Sequence, residues 1–143
     1  ILNCERKFQI SSDAEILKDM LSYAVENGSG KGARLVGWDV SGKTGTSKKV
    51  INGEYSESEF LASFVGFFPK ENPQLLALII IDGASVSSNY HWGSMSAAPV
   101  FKSVMQRIIN IDKEITDKKF NKKLNIFCIL KEKNILLPLI LKQ

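Results

Sequence analysis

The chain has 143 residues, 44% of them hydrophobic and 24% charged, the proportions of one ordinary globular domain or of a piece of a larger one. The net charge of +4 is uneven: residues 1–111 hold 11 Lys+Arg and 11 Asp+Glu, residues 112–143 hold 8 and 4, so the excess lies in the tail and argues for no nucleic-acid partner. Cys4 and Cys128 stand at opposite ends with no C-x-x-C pair and no clustered histidines, which argues against a zinc or redox site and leaves the compartment undecided.

Residues 1–7 become charged too early for the apolar core of a signal peptide, and no apolar run approaches the ~20 residues of a membrane span. Ser12-Asp13-Ala14-Glu15 then has the spacing of a helix capping box. Leu17, Met20, Leu21, Ala24 and Val25 follow at helical steps, predicting one apolar helix face, and Asn27-Gly28 reads as a left-handed stop. The glycine-rich stretch 28–32 reads as a helix–strand link and not as a phosphate cradle, because no helix follows it.

Val36, Trp38 and Val40 alternate with smaller or polar residues, predicting a strand that runs into Lys43-Thr44-Gly45-Thr46. That tetrad sets one cation beside two hydroxyls and a glycine, a combination suited to an anionic or carbonyl-bearing ligand, with Gly45 allowing close backbone approach. At a sheet edge the same strand would offer N–H and C=O groups to an extended peptide. Residues 37–44 also satisfy the P-loop pattern G-x-x-x-x-G-K-[ST], which makes a nucleotide binder the rival reading. Trp38 and Val40 inside the pattern, and the poor helix start after Thr44, argue against it.

Residues 47–59 are polar, with a turn signal at Asn52-Gly53, and read as a long connection that could hold a small hairpin inside it. Residues 60–68 are apolar and aromatic, a strand ended by Pro69, and Asn72-Pro73 supplies a turn. The unbroken aliphatic run 75–81 predicts a strand buried on both faces. Hairpin-type links make these three strands antiparallel. A polar loop covers 82–92. Ala97-Ala98-Pro99 starts a helix whose stripe is Val100, Phe101, Val104, Met105, Ile108 and Ile109. The expected fold is therefore α+β, an antiparallel sheet of at least three strands with an N-terminal and a C-terminal helix packed on it.

The tetrad Lys43-Thr44-Gly45-Thr46 resembles the K-T-G-T box of the penicillin-binding proteins, serine D,D-transpeptidases that cross-link peptidoglycan. The resemblance continues through residues 62–69, Asn72-Pro73, Ile81-Asp82, Trp92-Gly93 and Ala97-Ala98-Pro99-Val100-Phe101, and covers roughly residues 10–111. Order and spacing are similar to the C-terminal part of the transpeptidase domain of a class B, division-type member. It implies an incomplete penicillin-binding, β-lactamase-like fold, peptidoglycan stem peptides and β-lactams as ligands, and no metal or organic cofactor. It further implies the periplasmic face of the bacterial inner membrane, divisome proteins as partners, and an anchor on polypeptide outside this chain. Ile1 at the first position fits a chain that starts mid-protein.

By that resemblance Lys43 would hydrogen-bond the serine of an S-x-N box and add positive charge, Thr44 and Thr46 would bind a carboxylate, and the Thr46 N–H would give half of an oxyanion hole. Strict alternation puts Lys43 and Gly45 on one face and both threonines on the other, so the strand must twist at an edge to present all of them. No serine of these 143 residues has lysine three positions later, so the S-x-x-K nucleophile is absent from them. Ser87-Ser88-Asn89 spells S-x-N but follows the tetrad where the family puts it before, and reads as loop polarity. His91 reads as a loop histidine beside Trp92, and Asp39 as strand-surface solvation.

With the N-terminal part of the same domain missing, the fragment should show an incomplete sheet with exposed apolar surface, be marginally stable or self-associate, and be inactive alone. A β-lactamase or sensor-type penicillin-recognising domain and a non-catalytic remnant or interaction module are the further alternatives. Residues 112–143, outside the resemblance, carry the cluster Lys118, Lys119, Lys122 and Lys123 and two short apolar runs. They read as a loosely packed or disordered extension. A membrane-seeking basic amphipathic segment, or translation past a damaged gene end, would give the same composition.

Overall fold

The tetrad lies extended on the first strand of a five-stranded sheet. The computed structural model describes residues 12–86, 89–111, 125–132 and 135–141, with the side chains of 13–86 and 89–111. Its elements run in the order α1 (Ser12–Glu26), a short 3-10 turn (Lys31–Ala33), β1 (Ser41–Ile51), β2 (Glu54–Phe68), β3 (Leu75–Ser85), α2 (Ala97–Ile111), β4 (Asn125–Glu132) and β5 (Ile135–Leu141). The strands lie side by side in sequence order, β1 forming one edge. The β1–β2 and β2–β3 pairs are antiparallel, as expected, and β3–β4 is parallel. That parallel step has α2 in its connection, which is how a chain returns to lay a strand in the same direction.

Asn52 and Gly53, with φ of 53° and 87°, form the turn between β1 and β2. The small hairpin that the sequence allows within 47–59 is real but is no separate piece of a loop: it is the outer end of both strands. Lys48–Glu57 at 2.5 Å and Lys49–Asp82 at 2.7 Å pair across that end. The strand expected from Val36 begins instead at Ser41. Gly37 takes φ 80°, Leu35 and Trp38 form an isolated bridge, and Val36 is 86% exposed, so the 36–40 alternation belongs to a turn.

Directly opposed residues of an antiparallel pair share a sheet face. Phe64, opposite Thr44 and Ile79, meets Phe101 of α2 edge-on at 4.9 Å, so Thr44, Thr46, Ala62, Phe64 and Ile79 belong to the face covered by α2. Phe64, Phe68, Leu75, Ile79, Phe101 and Met105 are fully buried there. The other face carries Lys43, Gly45, Ser63 and Val65, opposite Leu78 and Ile80. It is only half covered, Val65 being 40% exposed. The run 75–81 is therefore buried on one face, and the expectation of burial on both is corrected.

Helix α1 turns Val25 into the core but leaves Ile16, Leu17, Met20 and Tyr23 exposed, so Leu17 and Met20 are not on its packed face. It ends at Glu26 without a left-handed glycine. The amides of Gly28 and Gly30 both donate to the Ala24 carbonyl, and no positive φ occurs before Gly37 among the described residues. Lys18 and Lys70 tie the helix to the strands: the Lys18 carbonyl accepts from the Ser41 hydroxyl, and Lys70 pairs with Asp19 at 2.7 Å.

The tail departs from expectation. Residues 125–132 pair with β3 in register from Leu75–Asn125 to Ile81–Lys131, and β5 folds back antiparallel on β4. They extend the sheet where a loose or disordered extension was expected. The cluster Lys118, Lys119, Lys122 and Lys123, the residues of the capping box before Asp13, and Ser87-Ser88 lie outside the described side chains.

Candidate functional site

Lys43, Thr44, Gly45 and Thr46 are consecutive in β1, opposite Val65, Phe64, Ser63 and Ala62 of β2. β1 begins inside the P-loop pattern, at Ser41, and runs on as strand with no helix, so the backbone there cannot wrap a phosphate in the manner that pattern requires. No described strand pairs with the other side of β1. The tetrad thus lies where an extended ligand has access to unpaired strand edge.

The two threonines are held by elements outside the strand. The Thr44 hydroxyl shares a hydrogen bond with the Ser29 hydroxyl at 2.7 Å, just past the end of α1. The Thr46 hydroxyl oxygen accepts the Gly93 N–H at 3.1 Å, in the loop that leads into α2. Lys43 is exposed, and its ammonium donates to the Thr44 carbonyl at 3.1 Å. This leaves further donors of a positive group directed at solvent. A Cβ on Gly45 would stand 2.5 Å from the Ser63 hydroxyl oxygen, so a side chain there would make that hydroxyl rotate away.

His91 lies in the loop with its ring tilted against those of Phe60 and Trp92, at centroid distances of 5.2 and 4.7 Å. Asp39 is exposed and uses its carbonyl to accept the Lys70 N–H at 2.9 Å. Among the described residues no group of three or more His, Cys, Asp and Glu could hold a metal ion, and no helix is long and apolar enough to cross a membrane. Sequence reasoning missed Ser29 and Gly93 as partners of the site. Only the Trp92-Gly93 pair, already part of the family resemblance, carried a signal for one of them.

The model of the penicillin-binding protein transpeptidase domain matches residues 5–106. The chain belongs to this family. A probable peptidoglycan D,D-transpeptidase PenA of Neisseria flavescens is 34% identical over 107 residues, 75% of this chain and 26% of the relative. A peptidoglycan D,D-transpeptidase FtsI homolog of Mesostigma viride is 41% identical over 103 residues, 71% of this chain and 17% of the relative.

Two transpeptidase structures share the fold. The apo transpeptidase domain of Burkholderia pseudomallei penicillin-binding protein 3 aligns with TM-score 0.56 and 25% identity, over 77% of this chain and 32% of that one. The transpeptidase domain of the Legionella pneumophila FtsI4 D,D-transpeptidase aligns with TM-score 0.53 and 31% identity, over 70% and 37%. The chain therefore spans about a quarter or less of these curated relatives and about a third of these solved transpeptidase domains.

Proposed function

We propose that this transpeptidase-family chain supplies one wall of the substrate groove of a peptidoglycan D,D-transpeptidase. The ligands are stem peptides ending in D-Ala-D-Ala and the β-lactams that mimic them. The observation that carries the reading is the extended Lys43-Thr44-Gly45-Thr46 tetrad at the open edge of the sheet, within the family-matched residues. The nucleophile comes from an S-x-x-K segment outside the 143 residues, and an S-x-N serine from the same part of the domain accepts a hydrogen bond from Lys43. Attack on the D-Ala-D-Ala carbonyl forms an acyl-serine and releases D-Ala, and a second stem peptide's amine then takes the acyl group.

In this scheme Lys43 adds positive charge and Thr44 and Thr46 bind the terminal carboxylate. The Thr46 N–H supplies half of the oxyanion hole. A preorganised donor of that kind is worth about 10²–10³ in rate. The complete protein works outside the cytoplasm, at the periplasmic face of the inner membrane, with divisome proteins as partners.

The test is a chimera in which residues 10–111 replace the homologous segment of the Neisseria flavescens relative. Fluorescent penicillin should label it, and Lys43→Ala or Thr46→Ala should slow labelling by about tenfold or more. A folded chimera that never labels would overturn the assignment. The 143-residue chain by itself should give no covalent adduct.

A further inference from the structure

We infer that Gly93 is a positioning residue for the tetrad: the turn that opens into α2 holds the Thr46 hydroxyl and the Gly45–Thr46 backbone through it. The inference rests on reading Thr46 as a ligand-binding hydroxyl.

The geometry is that of backbone pressed on backbone. A Cβ built on Gly93 would stand 2.3 Å from the Ser63 carbonyl oxygen and 2.6 Å from the Gly45 carbonyl oxygen. Both neighbours are main chain of the β1–β2 ladder, so neither can swing aside as the end of a side chain would. Gly93 has no positive φ, so the absence of a side chain serves close approach and not a left-handed turn. The approach works because Gly45 and Ser63 are opposed and direct their side-chain positions to the other face, leaving bare backbone between Thr44 and Thr46.

The Gly93 turn is itself anchored. The Trp92 carbonyl accepts from the amides of Met95 and Ser96 and from the Ser96 hydroxyl, and the Gly93 carbonyl accepts from the Ala98 amide at 2.9 Å. These bonds fuse residues 92–98 to the first turn of α2, and α2 is fixed on the sheet by the Phe101–Phe64 contact. The 3.1 Å bond from the Gly93 N–H therefore reaches Thr46 from a rigid body.

The consequence is chemical. A threonine hydroxyl is one donor and two acceptor sites. With an acceptor site occupied by Gly93, the rotor no longer turns freely, and its own hydrogen is left for the exposed side, where a carboxylate would lie. A hydroxyl already polarised by an incoming N–H is also a better donor. A side chain on Gly93 would lift the turn from the ladder, releasing that hydroxyl and shifting the Gly45–Thr46 backbone together.

The experiment uses the isotopically labelled 143-residue chain and follows amide exchange and chemical shifts in wild type, Thr46→Val, Thr46→Ser and Gly93→Ala. Thr46→Val removes the acceptor with little change of volume, and the Gly93 amide should then exchange about tenfold faster. Thr46→Ser restores the acceptor and should restore both the protection and the Gly93 amide shift. Gly93→Ala should move the amides of residues 44–46 while those of 76–79 on β3 stay in place. Unchanged Gly93 exchange in Thr46→Val, or Gly93→Ala shifts confined to residues 92–94, would overturn the inference. No ligand enters this measurement, so its failure is distinguishable from failure of the chimera to label.

Discussion

Phe64→Ala tests how the tetrad's strand is held on the core. Phe64 is fully buried, stands opposite Thr44 in the ladder and meets Phe101 edge-on at 4.9 Å. Its ring fills space that two glycines leave open: a Cβ on Gly42 would lie 2.5 Å from the ring and one on Gly66 2.6 Å. Truncation of a buried phenylalanine costs about 3–5 kcal/mol, and the cost is greater where the surroundings cannot close over the gap. Gly42 and Gly66 have no side chains to move in, so the upper half of that range applies, about 4–5 kcal/mol. With a urea slope of about 2 kcal/mol per molar, the unfolding midpoint should fall by about 2 M, followed by circular dichroism and tryptophan fluorescence. Phe64→Leu should cost about a third as much. Gly66→Ala, which clashes with the ring, should hurt wild type more than the Phe64→Ala background, because the two residues share one space. A midpoint within about 0.5 M of wild type would refute this account of how β1 and β2 are seated on α2.

Deleting residues 112–143 removes the strand paired to β3 and bares its backbone edge, so the shortened chain should self-associate while the full chain is smaller in solution. Light scattering after size exclusion checks this, and a monomer with β3 amide protection intact would contradict it. Gly53 at φ 87° should lose about 1 kcal/mol on change to alanine, with Lys48–Glu57 and its neighbours left to hold the hairpin, and an unchanged melting temperature would argue against the turn. The hydrogen bond to Asp19 raises the Lys70 pKa above 10.5, with the charges of Asp19, Glu71 and Asp39 adding to it against partial desolvation. The pair's contribution is therefore complete below pH 10.5 and fades as pH rises through the raised folded value. Wild type should lose slightly more melting temperature than Lys70→Met as pH rises from about 10 to above 11, and parallel losses would remove the linkage.

The candidate site was legible in the sequence because its four residues are contiguous, and a strand presents contiguous residues along one line. Their partners were not legible. Ser29 and Gly93 are 15 and 47 positions away from the threonines they contact, and a glycine that donates its amide leaves no chemical mark. The Asn52-Gly53 turn and the α2 stripe were readable because each depends on local geometry. The hairpin's outer half was not. Beyond the helices both of its faces meet solvent, so residues 47–59 lack the alternation that marks a strand against a core. The 36–40 alternation failed for the opposite reason, since a positive φ at Gly37 breaks the extended path that the pattern presumes. The run 75–81 misled because an aliphatic residue on a half-covered face looks, in sequence, like one that is buried.

On the proposed reading, the topology also answers how one strand would show a ligand both its cation and its hydroxyls. Successive side chains leave a strand on opposite faces, so Lys43 and Thr44 diverge. In an inner strand the sheet itself would separate them, and one small ligand could not touch both. At an edge the separation vanishes, because a ligand lying along the free side of β1 reaches around to either face. The order β1-β2-β3-β4-β5 places the tetrad on that edge. The covered face then fixes the hydroxyls through Ser29 and Gly93, while the open face leaves the Lys43 ammonium exposed to groups supplied from elsewhere. Two fixed hydroxyls and one exposed charge can thus converge on a single carboxylate-bearing ligand without any distortion of the ladder beyond its ordinary twist.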